Sequence, residues 1–173
     1  SIFGTSASAL MYRRNIKTDS KLLATMALPA FIGSMGGASL ASRIPTEILK
    51  PLVVSLLIAV LIYTWKRPQL GQIESLRHSE PLRLKIAAIA ALVIGFYDGL
   101  IGPGAGSFLV LTLVAILGFA FLSASATAKV VNVATNLGAI IIFGANGEII
   151  WKIGLTLAIA NVAGGLIGAH LAL

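Results

Sequence analysis

The stretch Gly95-Phe-Tyr-Asp-Gly-Leu-Ile-Gly-Pro-Gly-Ala-Gly-Ser107 decides how the rest of this chain is interpreted. It places an acidic residue, Asp98, and a glycine-rich interruption between two strongly apolar runs, residues 86–94 and 108–117. In lipid every backbone N–H and C=O group needs a partner, so a helix breaks at membrane depth only where protein or a water-lined cavity receives the freed groups. The stretch therefore predicts a cavity within the membrane, as a transport site requires.

The composition is that of an integral membrane protein. Hydrophobic residues make up 57% of the chain, charged residues 11%, and the mean hydropathy is +0.96, which leaves too little polar surface for a soluble globule. A span needs about 20 helical residues. The pattern predicts an all-α, polytopic bundle of transmembrane helices with about seven membrane segments. They cover residues 1–12, 22–41, 48–65, 84–97, 107–117, 124–143 and 149–173.

The net charge of +7 indicates the orientation of the chain in the membrane and not a nucleic-acid partner, because Lys and Arg cluster between the apolar runs. The loops 13–21 and 66–83 are rich in basic residues, whereas the intervening loop holds only Arg43, Glu47 and Lys50. The positive-inside rule therefore places loops 13–21 and 66–83 in the cytoplasm. Tyr12, Tyr63 and Trp65, next to these loops, fit an interfacial aromatic belt.

Neither an enzyme nor a metal protein is indicated. The chain has no Cys, only two His, and no nucleophile and base at useful spacing. We predict no catalytic residues, no metal site and no cofactor.

An internal repeat appears when the chain is compared with itself at an offset of 131 residues, so that Asn15 meets Asn146. Both copies end in the pattern Gly-xxx-Gly-Ala-x-Leu-Ala, at residues 33–41 and 164–172. We interpret 1–173 as one membrane domain: 1–66 ends a first repeat half, 67–82 is a cytoplasmic loop and 83–173 is a second half. If both segments around the glycine break cross, the repeats are inverted, as in many secondary transporters; if that segment is re-entrant, they are parallel. We expect the chain to be a fragment, with a first copy of the Asp98 motif preceding Ser1.

Asp98 is costly at membrane depth, by roughly 2.5 to 3.5 kcal/mol at the bilayer centre, so something must offset it. It could relay a proton or cation, anchor the broken backbone, or cap a helix that starts near Gly99 at the interface. The glycines allow unusual backbone angles, and a short helix starting near Gly106 or Ser107 would aim its N–H groups at the break, which suits an anion. The alternative for these glycines is tight packing of helices. The glycines are Gly99, Gly102, Gly104 and Gly106.

Polar residues open the sixth segment, and four of them step by three or four positions, so they share one helical face. These four are Ser125, Lys129, Asn132 and Asn136, with Thr127 nearby. The face would line a path complementary to an oxyanion, or else Lys129 snorkels and the Asn residues bond neighbouring helices. For Asn161 we expect an interhelical hydrogen bond, and for the glycines of both repeat copies helix packing.

These residues, together with residues 147–155, resemble the TauE/SafE family, also called the 4-toluene sulfonate uptake permease family, over essentially the whole chain. The resemblance implies an inner-membrane protein of two related halves that moves sulfite, organosulfonates or related organic anions. It places motif positions at Asp98, Gly102, Gly104, Gly106, Lys129 and Asn132, with Ala105 where many members have Gly.

We therefore expect a secondary transporter of a small anion, with the lipid bilayer and the anion as partners and protons as the coupling ion to test. The translocation site would hold the following residues: Asp98, Gly102, Gly104, Gly106, Ser107, Ser125, Thr127, Lys129, Asn132 and Asn136. A membrane scaffold whose glycines serve only packing is the alternative.

Overall fold

The computed structural model describes residues 2–16, 18–44 and 74–172, together with isolated positions between 47 and 62. Within this part of the chain every regular element is helical, so the all-α prediction is confirmed there. The helices are α1 (Ile2–Asn15), α2 (Ser20–Ala41), α3 (Glu80–Leu100), α4 (Ala105–Leu111), α5 (Phe121–Ala145) and α6 (Trp151–Ala172); a π-helical segment, Thr112–Ile116, follows α4 directly.

Six of the seven predicted segments coincide with these helices, and most of the remaining one, 48–65, lies outside the described residues. Three described helices have the length and composition of a membrane span: Ser20–Ala41, Phe121–Ala145 and Trp151–His170. A shorter apolar helix covers Ala105–Ile116. The prediction of seven crossings and two related halves stays a prediction. Of the predicted loop 67–82, the last three residues already belong to α3.

Helices α2 and α3 run parallel, in contact along most of their length. Near their starts, the ammonium of Lys21 lies 2.6 Å from Oε1 of Glu80. Farther along, glycines from both helices meet the partner's backbone so closely that a Cβ on any of them would lie 2.0 to 2.3 Å from a carbonyl oxygen. These glycines are Gly33 and Gly37 of α2 and Gly95 and Gly99 of α3. The predicted packing role is thus confirmed for Gly33 and Gly37.

The chain after the glycine break turns back toward the start of α3. Backbone hydrogen bonds join Ser75 N to Gly118 O at 2.8 Å and Arg77 N to Leu117 O at 3.0 Å. Residues 105–116 therefore run antiparallel to α3 and end on the side where α3 begins. Helix α5 starts on that side too, only three residues after Gly118. We call this side, where α2, α3 and α5 begin, the basal side, and the opposite one the distal side.

Helix α5 lies against α2 and runs in the same direction. Ser34 Oγ donates a 2.6 Å hydrogen bond to the carbonyl oxygen of Thr135, and near the distal ends Asn146 Nδ2 donates to Ser42 Oγ at 3.2 Å. Apolar side chains of α2, α4, the π-helical segment and α5 fill the space between them and are almost fully buried. These are Leu22, Met26, Leu109, Leu113, Leu117 and Val131.

Helices α1 and α6 form a second parallel pair, directed toward the basal side. Gly4 N donates to Asn161 Oδ1 at 3.0 Å, and four residues later Ser8 Oγ donates to Gly165 O at 2.8 Å. Near the basal end Tyr12 is buried with Ala126 and Ala169. The Tyr12 ring thus fills the space between α1, α5 and α6 and does not lie on the surface, as an aromatic belt would require, while Tyr63 and Trp65 lie outside the described residues.

Candidate functional site

The helix break is present at its predicted position. Helix α3 ends at Leu100 and α4 begins at Ala105, and between them Gly102 and Gly104 adopt φ angles of 89° and 90°, which favour glycine. The Tyr97 hydroxyl donates a 2.6 Å hydrogen bond to the carbonyl oxygen of Pro103. Its ring meets the Phe108 ring edge to face, with centroids 5.2 Å apart. Tyr97 thus ties the end of α3 to the break and to α4.

Asp98 lies within α3, two residues before its end, so no helix starts near Gly99 for it to cap. That interpretation is wrong because α3 continues unbroken through Leu100. Instead, Oδ2 of Asp98 accepts a hydrogen bond from the buried Thr135 hydroxyl of α5. Asp98 therefore faces α5, and its carboxylate has a specific hydrogen-bond donor there.

A cavity of about 630 Å³, which we call the main cavity, lies among α1, α4, α5 and α6. Six of the ten predicted site residues line it: Gly104, Gly106, Ser107, Ser125, Lys129 and Asn132. The other four, Asp98, Gly102, Thr127 and Asn136, do not. The structure therefore brings part of the break and part of the polar face of α5 to one space, and their role as a translocation site stays a prediction.

Lys129 is the one charged residue among the described residues that line the main cavity. Its side chain is partly buried, and within the described part of the chain its ammonium makes no hydrogen bond or ion pair. An ammonium has three N–H donors and no acceptor. The main cavity thus contains an uncommitted cation.

Asn132 sits beside Lys129 in the same wall, one turn farther along α5. Asn136 Nδ2 donates to Asn132 Oδ1 at 3.1 Å, which occupies the acceptor of the Asn132 carboxamide. Its Nδ2 lies where a Cβ added to Gly106 would be only 3.3 Å away. A glycine at 106 therefore leaves room for the Asn132 amide. Asn136 does not line the main cavity but holds the Asn132 side chain through this hydrogen bond.

The side chains of Asp98, Thr135 and Asn132 are neighbours in space. The Thr135 hydroxyl, besides bonding Asp98, lies 3.0 Å from Asn132 O and 3.2 Å from Asn132 Oδ1. Asp98 is therefore connected to the main cavity through Thr135 and Asn132 and not by direct exposure to it. Thr127, by contrast, bonds the carbonyl oxygen of Ser123 within its own helix at 2.9 Å.

Several lining residues had no signal in the sequence. Ser8 and Tyr12 of α1 line the main cavity, as do Gly164 and Gly168 of α6. The sequence predicts packing contacts at both glycines, but none of the described residues comes within 4 Å of the position that a Cβ would take on either one. Gly165 between them does pack, since its Cβ would lie 2.6 Å from Gly4 O. The interhelical hydrogen bond expected of Asn161 is confirmed by its contact with Gly4.

Comparison with known proteins gives one family over the whole chain. The family model described as sulfite exporter TauE/SafE matches residues 1–173. Among curated proteins, the chain is 34% identical to the probable membrane transporter protein ORF9 of a Sinorhizobium species over 172 residues, which is 99% of this chain and 65% of the relative.

Two further relatives give the same picture. The probable membrane transporter protein YfcA of Escherichia coli K12 is 35% identical over 174 residues, 98% of this chain and 63% of the relative. A probable membrane transporter protein of Haemophilus influenzae is 30% identical over 168 residues, 97% of this chain and 65% of the relative. The chain thus spans a little under two thirds of the length of these relatives. No solved structure matches it.

Proposed function

Because the chain belongs to the sulfite exporter TauE/SafE family of membrane transporters, we propose that it forms part of a secondary transporter for a small anion, with the main cavity as a binding site. The carrying observation is the partly buried Lys129, which faces the main cavity without a partner among the described residues. A charge removed from bulk water without a partner is costly. A bound anion would supply that partner.

The substrate class that we propose is a sulfur oxyanion such as sulfite, an organosulfonate or a related organic anion. The family name supports sulfite, and the names of the relatives specify no substrate. The hydrogen-bond donors of the main cavity favour such a ligand, since Lys129 supplies an ammonium and Asn132 an amide. Charge-assisted hydrogen bonds to oxyanions are stronger than those between neutral groups. About 630 Å³ leaves space for an organic substituent beside the sulfonate group.

We propose that the protein lies in the inner membrane with its basal side in the cytoplasm. Residues of both basic loops, 13–16 and 74–79, lie on the basal side, which supports placing them together under the positive-inside rule. The short connection 146–150, on the distal side, contains no Lys or Arg.

We also propose that the two halves are inverted repeats. At the offset of 131 residues, α1 corresponds to the end of α5, and α2 corresponds to α6. Helix α1 runs toward the basal side and α5 away from it, while α2 and α6 are likewise opposed. Opposite directions of corresponding helices support inversion and not a parallel duplication.

The test is flux of labelled sulfite and of an organosulfonate into proteoliposomes that contain the full-length protein. We expect saturable flux, reduced about tenfold or more in Lys129→Ala, which corresponds to about 1.4 kcal/mol of lost interaction. Lys129→Arg keeps the charge and should retain part of the flux. Lys152→Ala is the matched control, because Lys152 is exposed on α6 and does not line the main cavity.

Two results would overturn the proposal. If the protein is folded and neither anion enters faster than into empty vesicles, sulfur anions are excluded as substrates and the scaffold alternative is favoured. Flux that is equal in Lys129→Ala and in Lys152→Ala would leave transport standing but would remove the main cavity as the binding site.

A further inference from the structure

A second, smaller cavity of about 230 Å³ lies between α1, α5 and α6. Its wall is formed by small and polar residues together with Lys129. They are Gly4, Thr5, Ser8, Lys129, Ala160, Asn161, Gly164 and Gly165. No predicted site residue other than Lys129 belongs to it, and we call it the distal cavity.

The distal cavity and the main cavity share a wall. Ser8, Lys129, Gly164 and Gly165 line both of them. The main cavity alone reaches Tyr12, Phe121 and Ala169, which lie near the basal side. Only the distal cavity reaches Gly4 and Ala160, which lie farther from that side, since α1 and α6 run toward it. The two cavities therefore follow each other along the helix axes, with Lys129 at their junction.

On the basis of the proposed function, we propose that the main and distal cavities are consecutive sections of one anion path, and that the anion passes Lys129 and then meets the Asn161 carboxamide. Gly4 N–H occupies Oδ1 of Asn161 at 3.0 Å, so the carboxamide faces the ligand with its NH₂ donors. Lys129 lines both sections and would keep the anion charge-paired during the passage. The distal cavity, at about 230 Å³, suits a bare oxyanion such as sulfite.

Two adjacent glycines in the wall of the distal cavity differ in how closely other residues approach their Cβ positions. At Gly165 a Cβ would meet Gly4 O at 2.6 Å and Ser8 Oγ at 2.9 Å, so this residue holds α1 against α6. At Gly164, which lines both cavities, none of the described residues comes within 4 Å of the Cβ position. A side chain placed at 164 would therefore enter the junction without striking the described helices.

This contrast gives the first test, made with sulfite and the full-length protein in proteoliposomes. We expect Gly164→Leu to reduce the maximal flux at least tenfold. The matched control is Gly154→Leu on the same helix, where a Cβ also meets no described residue within 4 Å and which lines neither cavity. It should transport like the unaltered protein. Equal maximal flux in both variants would overturn the shared path.

The second test is independent of flux. This chain contains no Cys, and once any Cys elsewhere in the full-length protein is replaced by Ser, thiols can be placed singly at Ser125 in the main cavity and at Ala160 in the distal cavity. A membrane-impermeant thiol reagent is added with and without sulfite. We expect sulfite to slow labelling of Ala160→Cys as well as of Ser125→Cys, and Lys129→Ala to abolish both effects. Protection of Ser125→Cys alone would show a binding site that does not extend past Lys129, and would overturn the path.

The failure of the path is thereby distinguishable from failure of the proposed function. If Lys129→Ala loses flux while Gly164→Leu keeps it, the anion uses the main cavity but leaves it by another route. If no variant and no unaltered protein moves sulfite or protects a thiol, both proposals fall together. Gly164→Ala, with a single added methyl group, checks that position 164 accepts a side chain in folded protein.

Discussion

The hydroxyl of Thr135 donates a hydrogen bond to Oδ2 of Asp98, which lies 37 residues earlier in the chain and on another helix. The carbonyl oxygen of the same Thr135 accepts a 2.6 Å hydrogen bond from Ser34 of α2. Both the side chain of Thr135 and that of Ser34 are almost fully buried. One residue of α5 therefore joins α2 and α3 at the level of the helix break.

Replacing Thr135 by Val should lower the free energy of unfolding by about 1–3 kcal/mol, because the shape is nearly kept while a buried acceptor loses its donor. The measurement is unfolding of the purified full-length protein in detergent. Thr135→Ser, which keeps the hydroxyl, is the control and should lose less. Equal stability of the Val variant and the unaltered protein would mean that the Asp98 contact contributes nothing to folding.

Asp98→Asn tests whether this carboxylate carries the coupling proton. An amide cannot titrate, so under this hypothesis flux by the variant no longer changes with external pH, whereas flux by the unaltered protein does. The measurement is sulfite flux in proteoliposomes at a series of pH values. An unchanged pH dependence in Asp98→Asn would exclude Asp98 as the proton carrier and leave it a structural partner of Thr135.

Gly37→Ala should destabilise the protein strongly, whereas Gly36→Ala should be tolerated. A Cβ at Gly37 would lie 2.0 Å from the carbonyl oxygen of Phe96, while at Gly36 the nearest atom is a Phe96 ring carbon at 3.5 Å, an ordinary contact. Overpacking of this kind costs typically 1–3 kcal/mol, occasionally more. Thermal stability of the two variants in detergent checks this, and equal melting temperatures would contradict the close contact of α2 with α3.

Asn132→Asp should reduce anion flux at least as much as Lys129→Ala, although the side chain keeps its shape. The exchange replaces the amide donor by a carboxylate, which accepts only, and places a negative charge beside Lys129. Flux measured next to Asn15→Asp, at an exposed position outside both cavities whose amide bonds Met11 O within its own helix, checks that added charge alone is harmless. Undiminished transport by Asn132→Asp would remove Asn132 from the anion path.

The local features of the site could be predicted from the sequence because they depend on residue type and spacing. The break at Gly102 and Gly104 follows from glycine in an apolar segment, and the shared face of Ser125, Lys129 and Asn132 follows from helical periodicity. These three side chains do line one cavity. The helix boundaries were predicted to within a few residues for the same reason.

Features that depend on which helices meet could not be predicted. Gly164 and Gly165 are adjacent and chemically identical, yet one faces open space and the other the backbone of α1, because neighbours on a helix point about 100° apart. Nothing in the sequence pairs Asp98 with Thr135, or brings Ser8 of α1 to the cavity wall. Such contacts depend on the arrangement of the helices and not on the order of the residues.

The interlocking glycines of α2 and α3 have a mechanical consequence. Carbonyl oxygens of each helix lie against glycines of the other, where no Cβ is present. If one helix slid along its neighbour, these oxygen atoms would strike the backbone or side chains of the residues beside the glycines. We therefore expect the two helices to move as a single rigid body, to which the hydrogen bonds of Thr135 attach α5. Helix α6 rests on α1 by contrast. Any rocking motion that opens one end of the molecule and closes the other would have its hinge between these two units, along the surface where Lys129 lies.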